Sequence, residues 1–165
     1  MIAFEPLRRE HLRLLRDWLG REHVRRWWGA ESLGHAEDAL AGRDASRYFL
    51  ITFDGRPVGM IQTYLVSDYP EWQEVVGPGE GLAGVDLLIG EADAIGSGLG
   101  PEVLAQFVRE ILFAQAGTTA CVATVEEENR RSWRAFEKAG FHHVRDVEED
   151  GLAHRLMRLD RRYAP

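Results

Sequence analysis

The chain is predicted to be an α/β (α+β) protein, with a mixed sheet of about seven strands and helices on both faces. Three observations predict it. Apolar runs of strand length alternate with segments of helical period along the 165 residues. Asp54-Gly55 and Asp150-Gly151 each separate two strand-like runs, the spacing of a tight hairpin. The apolar run Val85-Asp86-Leu87-Leu88-Ile89 leads into the glycine-rich turn Gly96-Ser97-Gly98-Leu99-Gly100, after which Pro101 opens an amphipathic segment. The length suits one domain, 1–165, able to bury a substantial core without staples. No internal repeat, low-complexity tract or linker interrupts it.

The elements follow in order. Residues 2–7 alternate loosely and read as a first strand. Residues 9–19 place Leu12, Leu15, Trp18 and Leu19 on one helical face. Gly20 and Gly29 bracket a short helical piece at 23–28. Ser32 reads as the N-cap of a helix reaching about Ala41. Residues 47–53 and 57–66 form a hairpin. Residues 67–81, rich in Pro, Gly and acids, read as a long loop, and loops of that length are more often functional than idle. Residues 82–89 are the central strand. The clearest helix spans 101–115, with Val103, Leu104, Phe107, Val108, Ile111 and Leu112 at helical intervals and Pro101 in the first turn. A strand at 120–125, a helix at 129–139 closed by Gly140, and a hairpin of 141–148 with 152–159 complete the chain. Cys121, mid-strand beside Ala120 and Val122, reads as a small buried hydrophobe.

Composition excludes several classes of function. Hydrophobic content of 45% and charge of 28% are those of a soluble globular protein. No apolar run approaches the ~20 residues of a membrane span. The first residues lack a basic region ahead of an apolar stretch, which predicts no secretory leader. With a single cysteine, this suits a reducing cytoplasm. No Cys cluster or spaced His pair suggests metal, and His142-His143 would point to opposite faces of a strand. Net charge is −7, and its distribution is uneven. Between Pro57 and Val108 there are eight acids (Asp68, Glu71, Glu74, Glu80, Asp86, Glu91, Asp93 and Glu102) and no Lys, Arg or His. A single-sign cleft concentrates ligands of opposite sign, so a small cationic partner is expected and nucleic acid is not. The same stretch also reads as a solvated acidic loop.

A strand, a glycine turn and a helix N-terminus form a phosphate cradle, because backbone N–H groups converge there and the helix dipole favours negative charge. Gly98 and Gly100 let the backbone approach a pyrophosphate closely. Downstream stands Asn129-Arg130-Arg131-Ser132-Trp133-Arg134-Ala135-Phe136-Glu137-Lys138-Ala139-Gly140-Phe141. The two motifs together resemble the GCN5-related N-acetyltransferase (GNAT) superfamily, which uses acetyl-CoA. Trp27-Trp28-Gly29, Gly55-Arg56-Pro57-Val58-Gly59, Gln62-Thr63-Tyr64, Trp72-Gln73-Glu74 and Gly84-Val85-Asp86 are similar to its aminoglycoside 6′-N-acetyltransferase branch. The likeness covers roughly residues 4–159.

The resemblance implies the GNAT fold, with a mixed, mostly antiparallel sheet. It implies transfer of an acetyl group from acetyl-CoA, without metal, to an amine of a polycation, with an aminoglycoside 6′-amine as the leading acceptor. It places the cofactor against Leu88, Ile89, Gly96, Ser97, Gly98, Leu99, Gly100, Asn129, Trp133, Phe136 and Lys138. It places the acceptor against Trp28, Glu31, Gln62, Tyr64, Trp72, Glu74 and Asp86, with Asp86 orienting the amine or receiving its proton. Of Trp27 and Trp28, one is expected in the core and one in a cleft. Several of these residues also have a plainer reading: Asn129 as a helix N-cap, Trp133 and Phe136 as core, Lys138 as a solvated helix end, Asp86 as an acid paired with a nearby Arg.

The chain also departs from the pattern. Ile95 stands where relatives often carry Gln or Arg, and Pro101 removes one amide from the turn. Thr124 replaces an acid, with Glu126-Glu127-Glu128 close behind. Phe136 stands where many relatives have a tyrosine able to protonate the leaving thiolate. The thiolate would then leave unassisted, or take a proton from water or from a hydroxyl such as that of Tyr64. The alternatives are acetylation of another small polyamine or a protein N-terminus, or a protein that binds CoA or aminoglycoside with little turnover. The chain is expected to act as a monomer or homodimer, away from membranes.

Overall fold

Asp54 and Gly55 have φ of 49° and 77°, and Asp150 and Gly151 have 50° and 76°. These are the paired left-handed residues of a type I′ turn, whose twist matches that of the flanking strands. Both hairpins therefore form where the sequence placed them, in a computed structural model that describes residues 1–164. The elements are β1 (Ile2–Pro6), α1 (Leu12–Gly20), α2 (Glu22–Arg25), α3 (Ser32–Leu40), β2 (Arg47–Phe53), β3 (Arg56–Leu65), α4 (Pro70–Val76), β4 (Leu82–Ile89), α5 (Leu99–Phe107), β5 (Ala120–Glu126), α6 (Arg130–Lys138), β6 (His142–Glu149) and β7 (Leu152–Asp160). The strands form one mixed sheet in the order β1-β2-β3-β4-β5-β7-β6. The β4–β5 pairing is parallel, while β1–β2, β2–β3, β5–β7 and β6–β7 are antiparallel.

Two compact units share the chain: residues 1–63 with 86–97, and residues 64–85 with those from 98 onward. In the first, Tyr48, Phe49, Leu50, Ile51 and Thr52 are buried in succession along β2. A strand buried at consecutive residues is covered on both faces. Leu15, Trp18, Val24 and Ala36 from the helices pack with Leu50, Met60 and Leu88 from the strands. Trp18 is fully buried and lies against Gly90, where an added Cβ would stand 2.2 Å from the ring. An aromatic side chain buries about 150–250 Å², worth about 4–6 kcal/mol at ~25 cal/mol per Å². The indole Nε1 donates to Glu91 Oε1 at 2.8 Å, and Arg21 donates to Glu91 Oε2 at 2.9 Å and to the Gly90 carbonyl at 2.9 Å.

The second unit corrects the expected loop at 67–81: it contains α4. Pro70 opens this helix and Glu71 lies in its first turn. Trp72 and Val76, one turn apart, pack with Val66, Leu82, Ala120, Val122 and Leu156. Acids and flanking glycines hide these two apolar positions in the sequence. Two smaller corrections concern ends. Residues 9–11 form a 3-10 turn ahead of α1, and Ser32 is the first residue of α3, with Glu31 at the N-cap.

The helix expected over 101–115 starts at Leu99, and after Phe107 it widens into a π-turn, Val108–Leu112. Val108, Leu112 and Phe113 are buried there, whereas Ile111 is half-exposed. The end of α6 follows sequence logic closely. Gly140 has φ 99°, its N–H donates to the Glu137 carbonyl, and the Phe141 N–H donates to the Phe136 carbonyl, both at 3.0 Å. This is a Schellman motif, and its hydrophobic contact is the edge-to-face pair Phe136–Phe141, 5.0 Å between centroids.

Candidate active site

Three strands of the first unit line up one face of a cleft. Tyr48 of β2 stands directly opposite Gln62 of β3. The Gln62 side-chain N–H donates to Asp86 Oδ2 of β4 at 2.8 Å. The opposite wall comes from the segment between α2 and α3. Trp27 and Trp28 follow α2, Glu31 stands at the N-cap position of α3 without a side-chain capping bond, and Ser32 and His35 lie one turn apart on that helix. Together with Gly29, these residues enclose a cleft of about 240 Å³. An added Cβ on Gly29 would sit 2.1 Å from Glu31 Oε1, so the absence of a side chain lets the Glu31 carboxylate fold across the backbone there. The cleft thus combines two carboxylates, two indoles, a phenol, an imidazole, an amide and a hydroxyl. Such a set has the chemistry to hold an amine on a flat or ring-shaped body, since carboxylates and π-faces attract a cation and polar groups can orient it.

Trp28, Glu31, Gln62 and Asp86 are therefore brought together. Both tryptophans line the cleft, which corrects the expected division of labour, although Trp28 also packs on the core. Gln62 is a partner of Asp86, where an arginine had been the structural alternative. The remaining expected acceptor residues belong to the second unit. Tyr64 lies against Gly84, where a Cβ would meet its ring at 2.3 Å, and is edge-on to Tyr69 at 5.3 Å. Trp72 packs into the core beneath α4 with its buried Nε1 lacking an acceptor, and Glu74 is exposed. Ser32, His35 and Tyr48 are lining residues that sequence reasoning missed. The spacing of Glu31 and His35 at i and i+4 across a helix start was the available signal.

Two of the eight acids are committed elsewhere. Glu91 bonds Trp18, Arg21 and Arg56, and Asp93 bonds Arg56 at 2.8 Å. The Trp18 indole N–H, followed by the Arg21 guanidinium, holds the Glu91 carboxyl below the usual range. Arg56 does the same for Asp93. Part of the acidic stretch is thus neutralised by arginines from outside it.

The expected cofactor residues fall in both units. In the first, Leu88 is buried and Ile89 half-buried at the end of β4. The Gly90 and Glu91 N–H groups both donate to the Val58 carbonyl, at 2.9 and 3.2 Å. Gly96 has φ 80°, and the Ser97 hydroxyl donates to the Ala94 carbonyl at 2.7 Å. In the second, Gly98 is the N-cap of α5 with φ 88°, and no side chain caps the helix. A Cβ on Gly98 would meet nothing within 4 Å, and one on Gly100 only Ala135 at 3.7 Å. Leu99 turns its side chain inward, 6% exposed. An uncapped N-terminus beside a left-handed glycine fits a pyrophosphate. Pro101 removes one donor, and Glu102 places a carboxylate in the same turn.

On α6, Asn129 is the N-cap, its side chain accepting from the Ser132 N–H at 3.3 Å. Trp133 is 8% exposed, donates to the Glu127 carbonyl at 3.1 Å and has the Arg155 guanidinium 4.0 Å from its ring centroid. Phe136 is 3% exposed and Lys138 is exposed. Among the described residues, no three His, Cys, Asp or Glu are grouped to hold a metal ion, and no helix is long and apolar enough to cross a membrane.

A family model described as an acetyltransferase (GNAT) domain matches residues 8–149. The aminoglycoside N(6′)-acetyltransferase type 1 of Klebsiella pneumoniae is 30% identical over 143 residues, covering 80% of this chain and 70% of that protein. The solved structure of the aminoglycoside acetyltransferase AAC(6′)-Ib with coenzyme A is 25% identical, with a TM-score of 0.87 over 99% of this chain and 96% of that one. Its complex with ribostamycin and coenzyme A gives the same identity and TM-score over 98% and 94%.

Proposed function

The chain belongs to the acetyltransferase (GNAT) domain family, and we propose that it transfers an acetyl group from acetyl-CoA to the 6′-amine of an aminoglycoside. Bound acetyl-CoA supplies a thioester carbonyl open to attack by an amine. The observation that carries the acceptor assignment is the cleft in which Gln62 holds Asp86 opposite Trp27, Trp28 and Glu31. Glu31 and Asp86 attract the polycation, the indoles flank its ring, and Asp86 orients the reacting amine. Backbone amides near Leu87, Leu88 and Ile89 are assigned to the carbonyl oxygen, where negative charge develops. The turn from Gly96 to Gly100 with the α5 N-terminus is assigned to the pyrophosphate, and Asn129 to the pantetheine arm. Trp133, Phe136 and Lys138 are assigned to the same cofactor from α6, and Tyr64, Trp72 and Glu74 to the acceptor. We take residues 1–165 to work as one acetyltransferase domain, as a monomer or homodimer, in the cytoplasm.

The test is thiol release from acetyl-CoA with a panel of aminoglycosides that includes ribostamycin. Saturable release, with the product acetylated on one amine, is expected. Asp86→Asn keeps the shape and removes the charge; it should lower the rate by about 10²-fold, the cost of a misplaced reactant, while acetyl-CoA binding, followed by calorimetry, is unchanged. Binding of acetyl-CoA and aminoglycoside without thiol release would favour a sequestering protein. Full activity in Asp86→Asn would make that residue merely structural.

A further inference from the structure

The amine that attacks a thioester must lose a proton. Of the three lining side chains that the acceptor assignment leaves without a role, those of Ser32, His35 and Tyr48, one is an imidazole. His35 lies on α3, one turn beyond Ser32 and four residues beyond Glu31, and lines the same cleft as Asp86. Among the described residues, the titratable groups that line this cleft with it are Glu31 ahead of α3, Tyr48 from β2 and Asp86 from β4, and no lysine or arginine lines it. These groups differ in what they do well at neutral pH. A carboxylate is a weak base there, and a phenol is already protonated. An effective general base titrates close to the working pH, and imidazole is the side chain whose ordinary charge change falls between about pH 5 and 8. Position separates them further. Asp86 is half-buried and tied to Gln62 at 2.8 Å, whereas His35 lines the same cleft and is exposed. A group fixed by a neighbour is suited to orienting the amine. One that is open to water is suited to passing a proton outward.

We propose that His35 is the general base of the acetyl transfer, taking the proton from the acceptor amine that Asp86 orients. This rests on the acetyltransferase reading above. The step balances as follows. The amine nitrogen forms a bond to the thioester carbonyl carbon. The carbon–sulfur bond breaks, and the thiolate leaves with its electron pair. The nitrogen-bound proton passes to the His35 imidazole, directly or through one water, and from the imidazolium to solvent. Charge also tunes binding. The imidazolium formed in each cycle stands in a cleft built for a cation, so it weakens the hold on the acceptor side as the neutral amide forms.

Thiol release is measured with ribostamycin in wild type, His35→Ala and His35→Gln. Both variants should lose about 10²–10⁴-fold in kcat at pH 7, with KM for ribostamycin within several-fold of wild type and acetyl-CoA affinity unchanged. In wild type, kcat should rise with pH as the base loses its proton and then level off. In His35→Gln that limb should vanish. Imidazole added to His35→Ala should restore part of the rate in a saturable way, which a purely structural histidine would not allow. A kcat within threefold of wild type in both variants would overturn the assignment, as would retention of the limb or failure of imidazole rescue in a His35→Ala protein that still binds both substrates. An active wild type matched by its variants overturns only the role of His35. A wild type that releases no thiol with any aminoglycoside overturns the acetyltransferase reading as well.

Discussion

Replacing Glu91 by Gln keeps the shape of the side chain and removes one acceptor. In the wild-type arrangement Oε1 accepts from the Trp18 indole at 2.8 Å, and Oε2 accepts from Arg21 at 2.9 Å and Arg56 at 3.2 Å. A glutamine amide has one oxygen. Turned toward the guanidiniums, it sets its NH2 against the N–H of a fully buried tryptophan. Turned toward the tryptophan, it sets the NH2 against two cations. Either way a donor is left facing a donor. Hydrogen bonds to charged groups contribute about 1.5–3 kcal/mol, and an orphaned buried donor costs about 1–3 kcal/mol. The Arg56 contact is largely exposed and adds little. The expected loss is about 2–4 kcal/mol, which for a chain of this length lowers Tm by about 5–15 °C. The pH dependence has a definite sign. The Glu91 carboxyl is depressed in the folded protein by the Trp18 indole and Arg21. Its stabilisation is therefore complete above the ordinary glutamate range, ~4.3, and is lost as pH falls through the lower folded value. Thermal melts of wild type and Glu91→Gln should differ most at neutral pH and converge in acid. A difference under about 2 °C at pH 7, or one that stays constant into acid while both proteins remain folded, would refute this account of what anchors Trp18.

Three further outcomes are expected. Gly98→Val puts a β-branched residue at φ 88°, where the protein offers open space but the backbone does not suit it; acetyl-CoA affinity by calorimetry should fall at least tenfold, and unchanged affinity would move the pyrophosphate elsewhere. Gln62→Leu removes the N–H that holds Asp86; kcat/KM for the aminoglycoside should drop by about tenfold or more, with the acetyl-CoA KM unaffected. Raising salt above ~0.1 M, where charges are screened within ~10 Å, should raise KM for a polycationic acceptor, though less than eight free acids would predict because Glu91 and Asp93 are already paired.

The sheet was legible wherever local pattern and tertiary burial agree. The bounds 82–89 and both Asp-Gly hairpins match, because a strand buried on both faces and a left-handed turn each impose a composition that few other structures tolerate. The helix α4 was not legible. Its two apolar residues, Trp72 and Val76, sit among acids and between proline and glycine, and only the surface beneath makes the segment helical. The site divides the same way. Asp86 announced itself as a charge within an apolar strand. Tyr48 looked like one more aromatic in a buried strand, and its cleft-facing position depends on the register that sets it opposite Gln62. His35 stands on a segment with no motif. A cleft assembled from four separate stretches of chain is invisible to any window short enough to show a period.

The widened turn after α5 carries an evolutionary consequence. Between Val108 and Leu112 the hydrogen bonding widens from i→i+4 to i→i+5, the Phe113 N–H donating to the Val108 carbonyl at 2.8 Å. The wide turn therefore holds roughly one residue more than the α-helical path requires. It brings Phe113 to the buried face in place of Ile111. An extra residue produces such a turn when the ends of a helix are fixed and cannot rotate to absorb it. Removing the exposed Arg109 should let the segment relax to α-helical winding while Leu112 and Phe113 stay in the interior, with little change in stability. Homologues one residue shorter here would then be the same protein with the wide turn closed.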